Sequence, residues 1–377
     1  MKNFFAVTIC AALLMLNAVV QAADEPKISA DAAVLVEAST GRILYERNSD
    51  ARREPASMTK MLTCLLALEH LKPTDEVPVS RATIYTEDNT LAWGEGDILS
   101  AWDMMTAVML VSENGGAVAL AQAVGGNVQG FAEMMNERAK SIGCKDSHFA
   151  NPNGLPAPNH YSTAADMARI AVSCMKNADF RKLVETQRTS IRWLKPKDKW
   201  AELNNTNHLL GKYKGANGIK TGWTQAAGGC LAASAKRDGV ELIAIVMRSA
   251  DQDTRFDDAA NMFDFGFERV RMVDAIHKDR SNKNVFVRGG KQATVRVGID
   301  DDFSFPLMPG EDPKLLSVTY DLPRIVDAEI EAGKVLGTAV LRYDGKPVAR
   351  VPLVAKEDVP RGFSFGSIIV AILSLVM

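Results

Sequence analysis

The chain has 377 residues, 24% of them charged and 47% hydrophobic, with a formal net charge of −2. That composition is ordinary for a soluble globular protein, and the near-neutral balance excludes a nucleic-acid partner held by charge. The five histidines contain no His-x-x-x-His pair and the cysteines match no zinc spacing, so neither metal nor cofactor is expected.

Met1-Lys2-Asn3 is a short basic start, Phe4 to Val20 is an apolar run, and Val20-Gln21-Ala22 is a small-residue cleavage site. Residues 1–22 therefore read as a secretory signal peptide cut after Ala22. Cys10 falls inside it. Cys64, Cys144, Cys174 and Cys230 remain, and an exported chain could pair some of them. The remaining length suits one large domain and one small one.

Ala32 to Ala38 and Ile43 to Arg47 read as two strands around a Ser39-Thr40-Gly41 turn. Pro55-Ala56-Ser57-Met58-Thr59-Lys60 comes next, with Met61, Leu62, Leu65, Leu66 and Leu68 following at helical spacing. Ser57 has the position of a cap for this buried helix. Lys60 follows Ser57 at i+3, so the two side chains share a face, an amine within reach of a hydroxyl. A serine hydroxyl is a poor nucleophile until a base takes its proton. Lysine can be that base only if burial, a helix N-terminus or a nearby cation lowers its pKa. Chance also supplies such pairs, and Ser173-Cys174-Met175-Lys176 is a second one.

Thr83 to Leu99 is polar and contains glycine, a loop with short strands. Ser100-Ala101-Trp102-Asp103 opens a helix as a capping box, running to Val111. Ser112-Glu113-Asn114 lies between that helix and the next, Glu113 to Val124. A hydroxyl and an amide two residues apart in a turn can face one cleft; Ser112 also has the position of an N-cap, and both roles are open. Gln129 to Ile142 and Ser162 to Met175 are amphipathic helices on either side of the loop Asn151 to Pro158. Residues 100 to 185 thus form a mostly helical lobe.

Gly218-Ile219-Lys220-Thr221-Gly222-Trp223-Thr224 reads as a strand edge. Its lysine and threonine suit a substrate carboxylate, and its glycine lets substrate backbone approach. Lys220 also reads as an edge-strand lysine facing water. Strands Cys230 to Ala235 and Leu242 to Arg248 follow around a Lys236–Gly239 turn, then a helix from Asp257 to Phe267. Residues 23–275 form the catalytic domain in this reading, 276–284 a charged linker, and 285–358 a small all-β domain without a catalytic constellation. Residues 359–377 form an apolar tail, short for a membrane span. It suits a helix lying in a membrane surface or a segment docked on the protein's own core.

Ser57-x-x-Lys60, Ser112-x-Asn114 and Lys220-Thr221-Gly222, in that order, resemble the three signature motifs of the penicillin-recognising serine enzymes. Pro55 to Lys60, Asn151-Pro152-Asn153-Gly154, Tyr161 to Met167, Gly218 to Thr224 and Thr254-Arg255-Phe256 look like one branch of them. That branch is the low-molecular-mass penicillin-binding proteins that act as D-alanyl-D-alanine carboxypeptidases. The likeness covers essentially the whole mature chain. It implies an α+β fold: a β-lactamase-like transpeptidase domain, with an antiparallel sheet flanked by helices plus a helical lobe, then a small all-β domain. It implies peptidoglycan stem peptides ending in D-Ala-D-Ala as substrates and β-lactam antibiotics as inhibitors. It also implies export to the periplasmic side of the inner membrane, with the tail holding the cytoplasmic membrane surface.

Carried over residue by residue, the resemblance makes Ser57 the nucleophile, Lys60 its base and Ser112 a proton relay. Asn114 holds Lys60 and the substrate amide. Lys220 and Thr221 bind the terminal carboxylate together with Arg255, and Gly222 belongs to the same motif. The amides of Ser57 and Trp223 form the oxyanion hole. Trp223 stands where close relatives often have histidine, and Glu113 where glycine is frequent, which bears on rate and preference. A β-lactamase shares the motifs, but in the partial match Glu202-Leu203-Asn204 the place of the deacylating glutamate is taken by Trp200. A non-catalytic wall-binding protein of the same fold is the other alternative; the intact Ser57, Lys60, Ser112, Asn114 and Lys220 argue against it.

Overall fold

The computed structural model describes residues 25–362 and Gly366; the expected leader over 1–22 and nearly all of the expected tail lie outside the described residues. In the strand Ala32–Glu37 all six residues are buried. Ala32, Val34 and Val36 face one core, while Ala33 and Leu35 face another. Successive side chains point to opposite faces, so an uninterrupted apolar run marks a strand covered on both sides. Val240–Ser249 repeats the pattern, with Ile243, Ile245 and Met247 against Leu242, Ala244 and Val246. The five-stranded antiparallel sheet runs Ile43–Arg47, Ala32–Glu37, Val240–Ser249, Gly228–Arg237, Ala216–Thr224. The Lys-Thr-Gly strand therefore stands at an edge. Helix Thr254–Arg269 covers one face through Phe256, Ala259, Met262 and Phe263.

On the other face lies helix Lys60–His70. Every residue from Lys60 to Ala67 is buried, as in a helix enclosed by core on all sides. A 3-10 turn, Ala56–Thr59, leads into it, and neither turn nor helix has a side-chain cap. The expected capping role of Ser57 is thus corrected: its hydroxyl is left for other partners. The lobe comprises Ala101–Leu110, Asn114–Gly125, Val128–Ile142, Ala164–Met175 and Ala178–Glu185. Ser100 caps the first of these, its Oγ accepting from the Asp103 amide at 3.1 Å, as the capping-box spacing predicts.

A four-stranded sheet, Glu76–Pro78, Ile98–Ser100, Arg188–Lys195 and Trp200–Asn204 in that order, packs on helix Ala101–Leu110. Its hairpin was not expected, because outward charged residues dominate Arg188–Lys195. Strand Arg271–Ile276 pairs with Phe303–Leu307, so it joins the β-rich part and not the catalytic domain expected to run to 275. The stretch 276–284 is not an open linker either. It carries the 3-10 turn Lys278–Arg280, buries Ser281 and enters strand Lys283–Arg288. The six-stranded sheet beyond runs Leu316–Asp321, Val335–Tyr343, Lys346–Ala355, Thr294–Gly298, Lys283–Arg288, Ile325–Asp327 around its own apolar core. Val359 is buried and bridges Ile330, and Arg361 bridges Gly290. Pairing thus continues past the boundary expected at 358. Cys64, Cys144, Cys174 and Cys230 are free thiols. Among the described residues no helix is long and apolar enough to cross a membrane.

Candidate active site

Ser57 sits on the Ala56–Thr59 turn with Lys60 at the start of the helix behind it. The turn places Lys60 Nζ 2.7 Å from Ser57 Oγ. Nζ also donates to Asn114 Oδ1 and to the Asn153 carbonyl, each at 2.6 Å. The lysine is wholly buried. Burial, then the positive charge of Lys220, drive its pKa well below the ordinary value, and Glu113 opposes them. The amine is therefore matched to taking a proton, which an exposed lysine at neutral pH is not.

Two glycines let backbone close around the nucleophile turn. Gly154 has φ +85°, and a Cβ there would lie 1.9 Å from the Ala56 carbonyl oxygen. A Cβ at Gly222 would stand 3.2 Å from both the Ser57 nitrogen and the Pro55 carbonyl oxygen. The Asn151–Gly154 loop and the Lys-Thr-Gly strand thus press on the turn from separate parts of the chain. Asn153, whose carbonyl holds Lys60, was missed as a site residue. The Asn-Pro-Asn-Gly tetrapeptide was its only signal, and it reads as a turn.

Ser112 adopts φ +63° and lines the same cleft as Ser57. The cap of helix Asn114–Gly125 is Glu113, whose side chain accepts from the Gly115 amide. Of the two roles open for Ser112, the N-cap is thus excluded. Asn114 turns its Oδ1 to Lys60 and its Nδ2 to the Glu87 carbonyl at 3.0 Å. It ties the lysine to the 83–99 loop, and both ends of its amide are engaged.

Lys220 is 1% exposed, which overturns its reading as a water-facing edge lysine. Its Nζ donates to the Thr221 carbonyl at 3.1 Å, and burial, followed by the charge of Arg255, lowers its pKa to about 7. It lies behind the cleft wall. The wall itself presents Thr221, Gly222, Trp223 and Arg255. Thr221 Oγ1 lies 2.7 Å from Thr206 Oγ1, a second cleft residue that the motifs did not indicate. Arg255 donates to the Gly222 carbonyl at 2.8 Å, and its buried Nε has no partner among the described residues. Trp223 is 44% exposed.

The competing motifs lie elsewhere. Ser173 and Lys176 line a separate groove with Arg138 and Arg169, and Lys176 is exposed at the end of its helix. Glu202 sits on the exposed hairpin, paired with Arg188, away from the cleft.

Comparison with known proteins follows the same division of the chain. A family model described as D-alanyl-D-alanine carboxypeptidase matches residues 19–251, and one described as penicillin-binding protein 5, C-terminal domain, matches residues 271–361. The chain is 34% identical to the D-alanyl-D-alanine carboxypeptidase DacF of Bacillus subtilis, over 88% of this chain and 86% of the relative. It is 29% identical to the D-alanyl-D-alanine carboxypeptidase DacC of Escherichia coli, over 92% of this chain and 88% of that one. Among solved structures, penicillin binding protein 5 from Haemophilus influenzae superposes with a TM-score of 0.69 at 28% identity, covering 89% of this chain and 99% of that structure.

Proposed function

The chain belongs to the D-alanyl-D-alanine carboxypeptidase family of serine peptidases, and on that premise we propose that it removes the terminal D-alanine from peptidoglycan stem peptides through an acyl-enzyme on Ser57. The observation that carries this reading is the 2.7 Å approach of a buried lysine amine to the Ser57 hydroxyl. Neutral Lys60 has a lone pair to accept the Ser57 proton. Ser57 Oγ then attacks the carbonyl carbon between the two D-alanines. The amides of Ser57 and Trp223 receive the oxyanion, an effect of roughly 3 kcal/mol per donor. As the C–N bond breaks, Ser112 relays the proton from Lys60 to the leaving amine, and D-alanine departs. Water attacks the ester and gives a proton to Lys60, which passes it to Ser57 Oγ as the acyl C–O bond breaks, releasing the shortened peptide and restoring Ser57 and neutral Lys60.

The substrate's terminal carboxylate meets Arg255 and the Thr221 hydroxyl, with Lys220 adding positive charge from behind the strand. The presence of both Arg255 and Thr221 in the cleft lining supports this assignment. Asn114 acts by holding Lys60. Glu202 stands on the hairpin paired with Arg188 and is not among the cleft-lining residues, which favours a peptidase over a β-lactamase.

Intact-mass spectrometry after incubation with penicillin tests the reading. One covalent adduct is expected, mapping to Ser57, together with release of D-alanine from a peptide ending in D-Ala-D-Ala. An adduct on Ser112 or Ser173, or none at all, overturns it. The same reading has the chain exported by residues 1–22 and its apolar C-terminal residues lying on the outer face of the cytoplasmic membrane, supported by the two apolar runs at its ends.

A further inference from the structure

We infer that Glu113 is a positioning residue of this site, clamping the segment 90–93 onto the Ser112–Asn114 turn and setting a negative charge beside the reacting groups. The inference rests on the acyl-enzyme reading above. Glu113 is fully buried, and a buried carboxylate is costly unless its oxygens are met by donors. Here they are. Oε2 accepts from the amides of Thr90 at 2.8 Å and Leu91 at 2.9 Å, and from the Thr90 hydroxyl. Oε1 accepts from Trp93 Nε1 at 3.1 Å and the Gly115 amide at 3.3 Å.

These donors come from two parts of the chain. Thr90, Leu91 and Trp93 belong to the loop; Gly115 opens the helix that carries Asn114. The same seam holds a Gly115 amide bond to Asn89 Oδ1 at 2.7 Å and the Asn114 bond to Glu87. Asp88 and Thr90 line the same cleft as Ser112, Thr221 and Trp223. One carboxylate therefore sets the distance between a cleft wall and the turn bearing two of the proposed site residues. A glycine at position 113 would leave the four loop donors, from Thr90, Leu91 and Trp93, without this acceptor.

The charge has a separate effect. At the N-terminus of helix Asn114–Gly125 a carboxylate is favoured by the helix dipole. It also favours the protonated form of Lys60, against burial and Lys220. Lys220, lowered to about 7 by burial and Arg255, titrates in the same field and is unchanged in the variants, while His160, which burial pushes down to about 4, is neutral in the working range.

Stopped-flow penicillin acylation across pH, combined with hydrogen exchange at Thr90 and Leu91, tests both parts. Glu113→Gln removes the charge and points an NH2 at donors. It should slow acylation about tenfold or more and weaken protection of the Thr90 and Leu91 amides. It should also move the acid limb of acylation to lower pH. Loosening alone would admit water to Lys60 and move that limb the other way. Glu113→Asp should leave the limb in place and recover part of the rate. If Glu113→Gln does not fold, Trp93→Phe removes one clamp donor and keeps the charge; slower acylation, weaker protection and an unmoved limb are then expected. Unchanged acylation and protection in the folded variant, or an acid limb that stays or rises in Glu113→Gln, overturns the inference. Wild-type protein that takes up no penicillin overturns the acyl-enzyme reading and this inference with it; normal wild-type acylation with an unchanged variant overturns the inference alone.

Discussion

Gly154 and Ala56 touch so closely that a Cβ on the glycine would stand 1.9 Å from the Ala56 carbonyl oxygen. The obstacle is backbone, which cannot rotate away, and Gly154 is also at φ +85°. Gly154→Ala should therefore cost about 2–4 kcal/mol, from the left-handed conformation and the overpacking together. Displacing the Ser57 turn should slow acylation by roughly a hundredfold. Thermal unfolding and penicillin acylation of the variant check this; a near-wild-type rate would mean the loop gives way without moving Ser57.

Lys60→Met should slow acylation severely while leaving a folded protein. Methionine fills a similar buried volume without a charge to desolvate. The rate should fall by about 10²–10⁴-fold, the usual contribution of a positioned base. Substantial acylation by the folded variant would show that another group activates Ser57.

Stability should rise with pH above neutrality, and Lys220 should be one reason. Its pKa falls from the ordinary 10.5 to about 7 on folding. Between those values the unfolded chain binds a proton that the folded protein does not, so raising pH favours the fold. The contribution is fully present above 10.5 and is lost as pH falls to about 7. Lys60 is shifted in the same direction. Chemical denaturation of Lys220→Met between about pH 7.5 and 8.5 should show a slope reduced by up to about 1.4 kcal/mol per pH unit, one proton's worth. An unchanged slope would place the Lys220 ammonium in water.

Arg255→Gln should distinguish carboxylate binding from support of the strand. A charge-assisted hydrogen bond contributes about 1.5–3 kcal/mol, so kcat/KM on a D-Ala-D-Ala peptide should fall roughly 10–100-fold. The C-terminally amidated peptide should lose much less. Equal losses on both would assign Arg255 to its bond with the Gly222 carbonyl alone.

A chain ending at Gly362 should keep carboxypeptidase activity on a soluble peptide and leave the membrane fraction. The cut is placed there because the Lys291 amide bonds the Pro360 carbonyl and the Gly362 amide bonds the Gly289 carbonyl, so a shorter chain would damage the β-rich part. Sedimentation of the shortened chain with membranes would refute the anchoring of residues beyond it.

What the amino-acid order determined by itself is whatever depends on near neighbours. Apolar strand-like runs over 32–47 and 230–248 marked the central sheet, and the i+3 spacing put Lys60 beside Ser57, because side-chain direction follows directly from strand and helix geometry. Ser100 was recognisable as a cap for the same reason. Ser57 was misjudged as a cap, and between the two roles open for Ser112 the order of residues could not choose, since the 3-10 turn and the left-handed φ of Ser112 arise from what packs around them. No local pattern announced that Asn153 would supply a carbonyl to Lys60 from 93 residues away. Nor did one show that Lys220 would be sealed behind its strand, or that Arg271–Ile276 would leave the first domain to pair with Phe303–Leu307. Burial, and with it the lowered pKa of both lysines, is a property of the assembled surroundings; only the tertiary structure could decide it, because the groups that exclude water from Lys60 are distant in the chain.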